Sequence, residues 1–193
     1  LGYTEHSRKH GAKVAQTAGK ILKDLGYDKR LIELSKIAGY MHDIGNSINR
    51  TDHAHSGAIL AYDILKQRGM GLADAITVAS AIGNHDEATG TAVDTVSAAL
   101  ILADKTDVRR NRVRNKVISS FDAHDRVNYA VLSSTLTVNK EKKVIQMDLY
   151  LDDSMCTVMD YFEIFLQRMI MCRRAAEAIG CKFKLVANGS KLC

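Results

Sequence analysis

The sequence contains no proline, no tryptophan and only four phenylalanines. With no proline to stop a helix, boundaries must be set by Gly, Asn and Asp. No run of about 18 apolar residues occurs, so no membrane-spanning helix is expected. The opening LGYTEHSRKHGAKVA has neither the apolar stretch nor the small-residue cleavage site of a signal peptide, so a cytoplasmic protein is expected. Its first residue is Leu rather than Met, which leaves room for a start upstream. The four cysteines (Cys156, Cys172, Cys181, Cys193) form no CxxC pair. That argues against a zinc knuckle or disulfide framework and for reduced, mostly buried thiols.

What is present is enough apolar material, 46% of 193 residues, for one main core. From Thr4 to about Arg114 the apolar residues recur at helical spacing, as in Ile59, Leu60, Ile64 and Leu65 or Val96, Ala99, Leu100 and Ala103. Breaks fall at Gly26, from Gly45 to Thr51, from Gly69 to Gly71 and from Thr89 to Asp94, giving about five helices. After about Asn128 the character changes. SSTLTV and VIQMDLYL, separated by NKEKK, read as a β-hairpin; a long amphipathic helix is expected from Ser154 to Ile179, and KFKLVAN reads as a short strand after Gly180. The expectation is therefore a mainly α protein: a helical core over residues 1–127 and a small α+β module over residues 128–193, packed on the core or at a homodimer seam.

All seven histidines (His6, His10, His42, His53, His55, His85, His124) precede residue 125, and the module has none. In KIAGYMHDIGN, His42 and Asp43 end an apolar helix, where neighbouring positions are about 100° apart and both side chains can converge on one metal. The second pair, His124 and Asp125 in FDAHDRV, stands where the core ends and is taken as a chance occurrence. A basic stretch, LADKTDVRRNRVRNK, suggests an anionic substrate. Nucleic acid is a weaker reading, because the stretch has no aromatics for base stacking.

The ordered series HGAKVA (His10), MHDIG (His42, Asp43), HAHSGA (His53), GNHDE (His85) and LADKTD (Asp104) resembles the HD-domain superfamily of metal-dependent phosphohydrolases, over roughly residues 3 to 115. The resemblance implies an HD-type helical core in which His10, His42, Asp43 and Asp104 surround one metal and Asp43 bridges to a second held by His53 and His85. This is similar to the two-metal subtype that includes symmetrical dinucleoside tetraphosphate hydrolases. His6 competes with His10, and His55 with His53. Where such members often carry a histidine pair, this chain has His85 followed by Asp86. The GYP signature of the cyclic dinucleotide branch is missing; Gly39-Tyr40-Met41 lies before the motif and ends in the wrong residue.

Mixed imidazole and carboxylate donors suit one or two divalent transition ions (Fe, Mn, Co, Ni or Zn) better than Mg²⁺. The implied function is hydrolysis of a phosphate ester or anhydride of a nucleotide or other small phosphorylated metabolite by metal-activated water. Asp43 and Lys105 are the expected catalytic residues, with Lys105 and Arg109 or Arg110 meeting the substrate phosphate; Arg112 and Arg114 are expected to face solvent. The competing reading is a regulatory or nucleic-acid-binding module that retains the metal without hydrolysis.

Overall fold

A computed structural model describes residues 8–113, 115 and 117–192; His6, Arg114, Lys116 and Cys193 lie outside the described residues. Five helices come first: α1 (Arg8–Leu25), α2 (Lys29–Met41), α3 (His53–Gln67), α4 (Leu72–Gly83) and α5 (Thr95–Lys105). The breaks between them fall at the Gly, Asn and Asp clusters expected from sequence. Asp28 caps α2 by accepting from the Leu31 backbone N–H at 3.0 Å. Asp94 and Ser97 form a reciprocal capping box on α5. Helix α5 is buried on nearly every side, from Val96 through Ala103, and is the axis around which α1, α2, α4 and the last helix pack.

Two glycines set how closely the elements around α2 approach. A Cβ on Gly39 would stand 2.8 Å from the backbone of Ala15, so α1 and α2 can touch main chain to main chain only because that side chain is absent. A Cβ on Gly45 would lie 2.0 Å from the His53 carbonyl oxygen, so the turn after α2 can lie against the start of α3. These contacts draw the ends of three helices, and the histidines they carry, into one small region.

A short helix α6 (Ala123–Ala130) spans the change of character near residue 128 and leads into β1 (Val131–Asn139), β2 (Val144–Leu151), α7 (Val158–Ala178), β3 (Lys182–Ala187) and β4 (Ser190–Lys191). The sheet order is β1-β2-β3-β4. β1 and β2 pair antiparallel as the expected hairpin, with Ser134 opposite Leu149 and Asn139 opposite Val144. β3 returns parallel to β2, with Ile145 opposite Phe183. Such a parallel return requires a crossover, and α7 supplies it.

Helix α7 starts four residues later than expected, because the Asp152 carbonyl accepts from the backbone N–H groups of Met155 and Cys156 and forms a turn; Thr157 and Asp160 then make the capping box. Its buried face comprises Tyr161, Phe165, Met169, Cys172 and Ala176. These residues join Ile145, Met147 and Leu149 of the sheet, and Leu100 and Leu102 of α5, in one continuous apolar core. The amphipathic face of α7 is thus covered within the chain, with α5, α6 and β3 as its neighbours.

Candidate metal centre

Each of the expected ligands enters from a different element. His10 sits in the first turn of α1, His42 caps the end of α2, and Asp43 opens the following 3₁₀ turn (Ile44–Ser47). His53 is the first residue of α3, His85 lies two residues beyond α4, and Asp104 is in the last turn of α5. The four histidines are buried, and the carboxylates of Asp43 and Asp104 are 15% and 12% exposed. The sequence spans 95 residues; the structure brings all six side chains to one place.

Three of the imidazoles are held the same way. His42 Nδ1 donates to the Gly39 carbonyl at 2.8 Å, His85 Nδ1 to the Ile82 carbonyl at 2.6 Å, and His10 Nδ1 to Asp107 Oδ2 at 2.8 Å. In each ring the outer nitrogen, Nδ1, is tied down, which turns Nε2 inward toward the carboxylates, where a metal would take the place of its proton. That is the arrangement of a histidine prepared to ligate a metal.

The inward atoms form two overlapping groups. His10 Nε2 lies 3.2 Å and His42 Nε2 3.6 Å from Asp104 Oδ1. His42 Nε2 lies 3.4 Å from Asp43 Oδ2, whereas His53 Nε2 lies 3.6 Å from the other oxygen, Asp43 Oδ1, and 3.2 Å from His85 Nε2. One donor atom from each of His10, His42 and Asp104 fits within 4.8 Å, as does one from each of His42, Asp43 and His85. Asp43 turns Oδ2 toward His42 and His10 and Oδ1 toward His53, and Asn46 Nδ2 orients it by donating to Oδ1 at 2.8 Å.

The electrostatics agree with a site built for a cation. Burial opposes charge on His42, yet the carboxylates of Asp43 and Asp104 overcome it and push the imidazole up to about 10. His85, whose ring centroid is 5.0 Å from that of His42, is driven down to about 3 by burial and by the positive charges of His42 and Lys105. Imidazole nitrogens and carboxylate oxygens, all buried and already oriented, fit a divalent transition ion.

Lys105 is buried, with Nζ 2.8 Å from Asp104 Oδ2 and 3.5 Å from Glu87 Oε1. Burial opposes its charge, but those two carboxylates raise its pKa above the ordinary lysine value, so it stays cationic. Arg109 is spent elsewhere: its Nε and Nη2 donate to the two oxygens of Asp107 at 2.7 and 2.9 Å, and it does not line the cavity. Arg110 stacks on Tyr129, 4.5 Å from its centroid, and donates to the Tyr129 carbonyl. The expectation that Arg112 faces solvent is corrected: it is 7% exposed, because its Nη1 donates at 2.7 Å to the carbonyl of buried Asp107. His55 is exposed and paired with Asp52, and it does not line the cavity either.

Asp107 escaped the sequence reading. It is 3% exposed, receives hydrogen bonds from His10, Lys13 and Arg109, and orients the His10 ring. Burial opposes its charge, but those bonds hold its carboxyl well below the usual range. The signal was an acid three positions after Asp104, in the turn beyond α5 where the Asp107 backbone N–H donates to the Asp104 carbonyl at 3.1 Å.

A cavity of 330 Å³ opens onto Asp43, His53, His85 and Asp104. Its lining also includes Arg112, His124, Asp125, Asn128 and, from the C-terminal module, Phe165 and Arg168. The second His-Asp pair, taken from sequence as a coincidence, therefore faces the same space as Asp43 of the first.

With this geometry in view, comparison with known proteins places the chain. It matches the HD domain over residues 8–127 and belongs to that family, one of metal-dependent phosphohydrolases. It is similar to an uncharacterised protein of Methanocaldococcus jannaschii, with 28% identity over 176 residues that cover 79% of this chain and 67% of that one. It also aligns with the solved structure of a predicted HD superfamily hydrolase from an uncultured Thermotogales bacterium at 28% identity and a TM-score of 0.46, covering 54% of this chain and 57% of that chain. No described helix is long and apolar enough to cross a membrane.

Proposed function

We propose that the chain is a phosphohydrolase that cleaves a phosphate ester or anhydride of a small metabolite, with nucleotides the first class to test. The observation that carries this reading is the inward-facing Nε2 set of His10, His42 and His85, each fixed through Nδ1, around the carboxylates of Asp43 and Asp104. Bound Fe, Mn, Co, Ni or Zn would supply Lewis acidity that activates water and neutralises phosphate oxygens. His10, His42, Asp43 and Asp104 would hold one ion, and His53 and His85 would share Asp43 to hold a second.

The protein's own groups do the rest. Asp43 joins the two halves of the centre through its separate oxygens. Lys105 keeps Asp104 ionised and adds positive charge at the cavity wall, beside the carboxylates of Asp43, Asp104 and Glu87. Because Lys105 is held cationic, it serves as a fixed charge rather than a proton donor at neutral pH.

The test is elemental analysis and a panel of nucleotides and simple phosphoesters on one preparation supplied with Mn²⁺. Metal at one or two equivalents per chain, phosphate release from at least one substrate, and loss of both in Asp43→Ala are the expected results. A metal-loaded protein inactive on the entire panel, with Asp43→Ala indistinguishable from it, sinks the reading.

A further inference from the structure

Arg168 is the most distant contributor to the cavity in sequence and the best prepared for a ligand. It lies on α7, in the module that carries none of the metal-site residues, yet it reaches the cavity lined by Asp43, His53, His85 and Asp104. Two contacts fix it. Its Nε donates to Glu87 Oε1 at 2.7 Å, and its guanidinium carbon stands 4.5 Å from the centroid of Phe165, so both edge and face are held. Its side chain is 24% exposed, and among the described residues its terminal nitrogens have no acceptor. Glu87 in turn faces Lys105, whose Nζ is 2.8 Å from Asp104, so one carboxylate separates the guanidinium from the lysine beside the metal centre.

The other cations around the cavity are committed differently. Lys105 is engaged by Asp104 and Glu87, and Arg112 donates to the Asp107 carbonyl. Arg50 is exposed at the rim, with its Nη1 3.3 Å from Asn46 Oδ1. Arg168 differs in being braced through Nε, which leaves Nη1 and Nη2 as two donors of fixed geometry. Such a fork matches two oxygens of a tetrahedral oxyanion, and a braced arginine loses little side-chain entropy on binding one.

We infer that Arg168 is the substrate's phosphate grip: its Nη pair takes two oxygens of the phosphoryl group in the cavity that Asp43, His53, His85 and Asp104 also line, making the C-terminal module part of the active site. The choice of phosphate over another oxyanion rests on the phosphohydrolase reading; the existence of an oxyanion grip does not. Glu87 is the positioning residue, because it aims the guanidinium and shares its charge with Lys105.

The test titrates inorganic phosphate calorimetrically into the Mn²⁺-loaded full chain and into its Arg168→Lys and Arg168→Ala variants, with Arg173→Lys, on the exposed side of α7, as control. Arg168→Lys keeps the charge and loses the fork, so phosphate affinity should fall by about tenfold with bound metal unchanged. Arg168→Ala should fall further and recover in part with millimolar guanidinium. On any phosphoester that is turned over, KM should rise more than kcat falls in Arg168→Lys. The inference is overturned if Arg168→Lys binds phosphate as wild type does, or if its loss of phosphate is matched by loss of metal. Should Arg168→Ala fail to fold, the lysine variant decides alone. A wild type that binds phosphate through Arg168 but hydrolyses nothing would sink the hydrolase reading and leave the grip standing; turnover with phosphate binding indifferent to Arg168 would do the reverse.

Discussion

The molecule contains the same dipeptide twice, in two settings. His42 is 1% exposed, its Nδ1 is tied to the Gly39 carbonyl, and Asp43 beside it is oriented by Asn46 with one oxygen toward each group of imidazoles. His124, in the first turn of α6, is exposed; Asp125 is buried, with Asn115 Nδ2 3.4 Å from its carboxylate. Asp43, His124 and Asp125 line one cavity, but among the described residues only the first pair has further histidines and acids close enough to share a metal with it. The difference shows that a His-Asp pair is made into a metal site by its neighbours: close helix packing brings the partners near, and outer hydrogen bonds decide which nitrogen faces in.

The largest expected effect separates the two pairs directly. On whichever phosphoester is turned over, Asp43→Ala should cost roughly a thousandfold or more in kcat/KM, because it removes the carboxylate common to both donor groups, whereas Asp125→Ala should cost less than about tenfold. Equal losses in steady-state assays would erase the distinction.

Next comes the packing that builds the first pair's surroundings. Gly39→Ala would press a methyl group against the Ala15 backbone at 2.8 Å, so it should destabilise the fold by about 1–3 kcal/mol in denaturant melts and loosen bound metal. An unchanged midpoint would mean that α1 and α2 can part without cost, contrary to the account given for His10 and His42. The outer hydrogen bond is tested by Asp107→Asn, which should weaken metal binding by about 10–100-fold in competition with a chelator while leaving the fold intact.

His124→Ala probes the second pair from its other residue. A proton-donating group is worth about a hundredfold or more, so a loss below about tenfold in kcat/KM is expected if His124 only borders the cavity. A hundredfold loss with a flattened pH profile would promote the pair to chemistry. The smallest effect concerns the module's core. Burial pushes the Cys172 thiol up to about 12, so at pH 8 it is almost wholly protonated and should react with an aromatic disulfide reagent far more slowly in the native protein than in denaturant.

Much of this was legible in the linear sequence. The five core helices follow from apolar spacing and from stops at Gly, Asn and Asp, because local capping and periodicity act within a few residues. The hairpin at SSTLTV and VIQMDLYL was equally local. Helix α6 was missed because eight residues are too few for a period to declare itself against a charged background. The parallel return of β3 onto β2 was not visible either, since strand pairing depends on where α7 delivers the chain. At the site, His10, His42, Asp43, His53, His85 and Asp104 could be chosen by their order, but the fates of Arg109 and Arg112 could not. A basic run has the same appearance whether its members face solvent or neutralise a buried carboxylate, and here Asp107 draws both Arg109 and Arg112.

The sequence by itself determined which residue types stand at the helix ends and which faces are apolar, because those are properties of short stretches with fixed spacing. Tertiary structure alone decided that Asp107 orients His10, that His124 and Asp125 share a cavity with Asp43, and that Arg168, 64 residues beyond Asp104, lines that same cavity. These are contacts between distant segments, set by the packing of α5, α6 and α7 in three dimensions, and no local pattern in the chain encodes them.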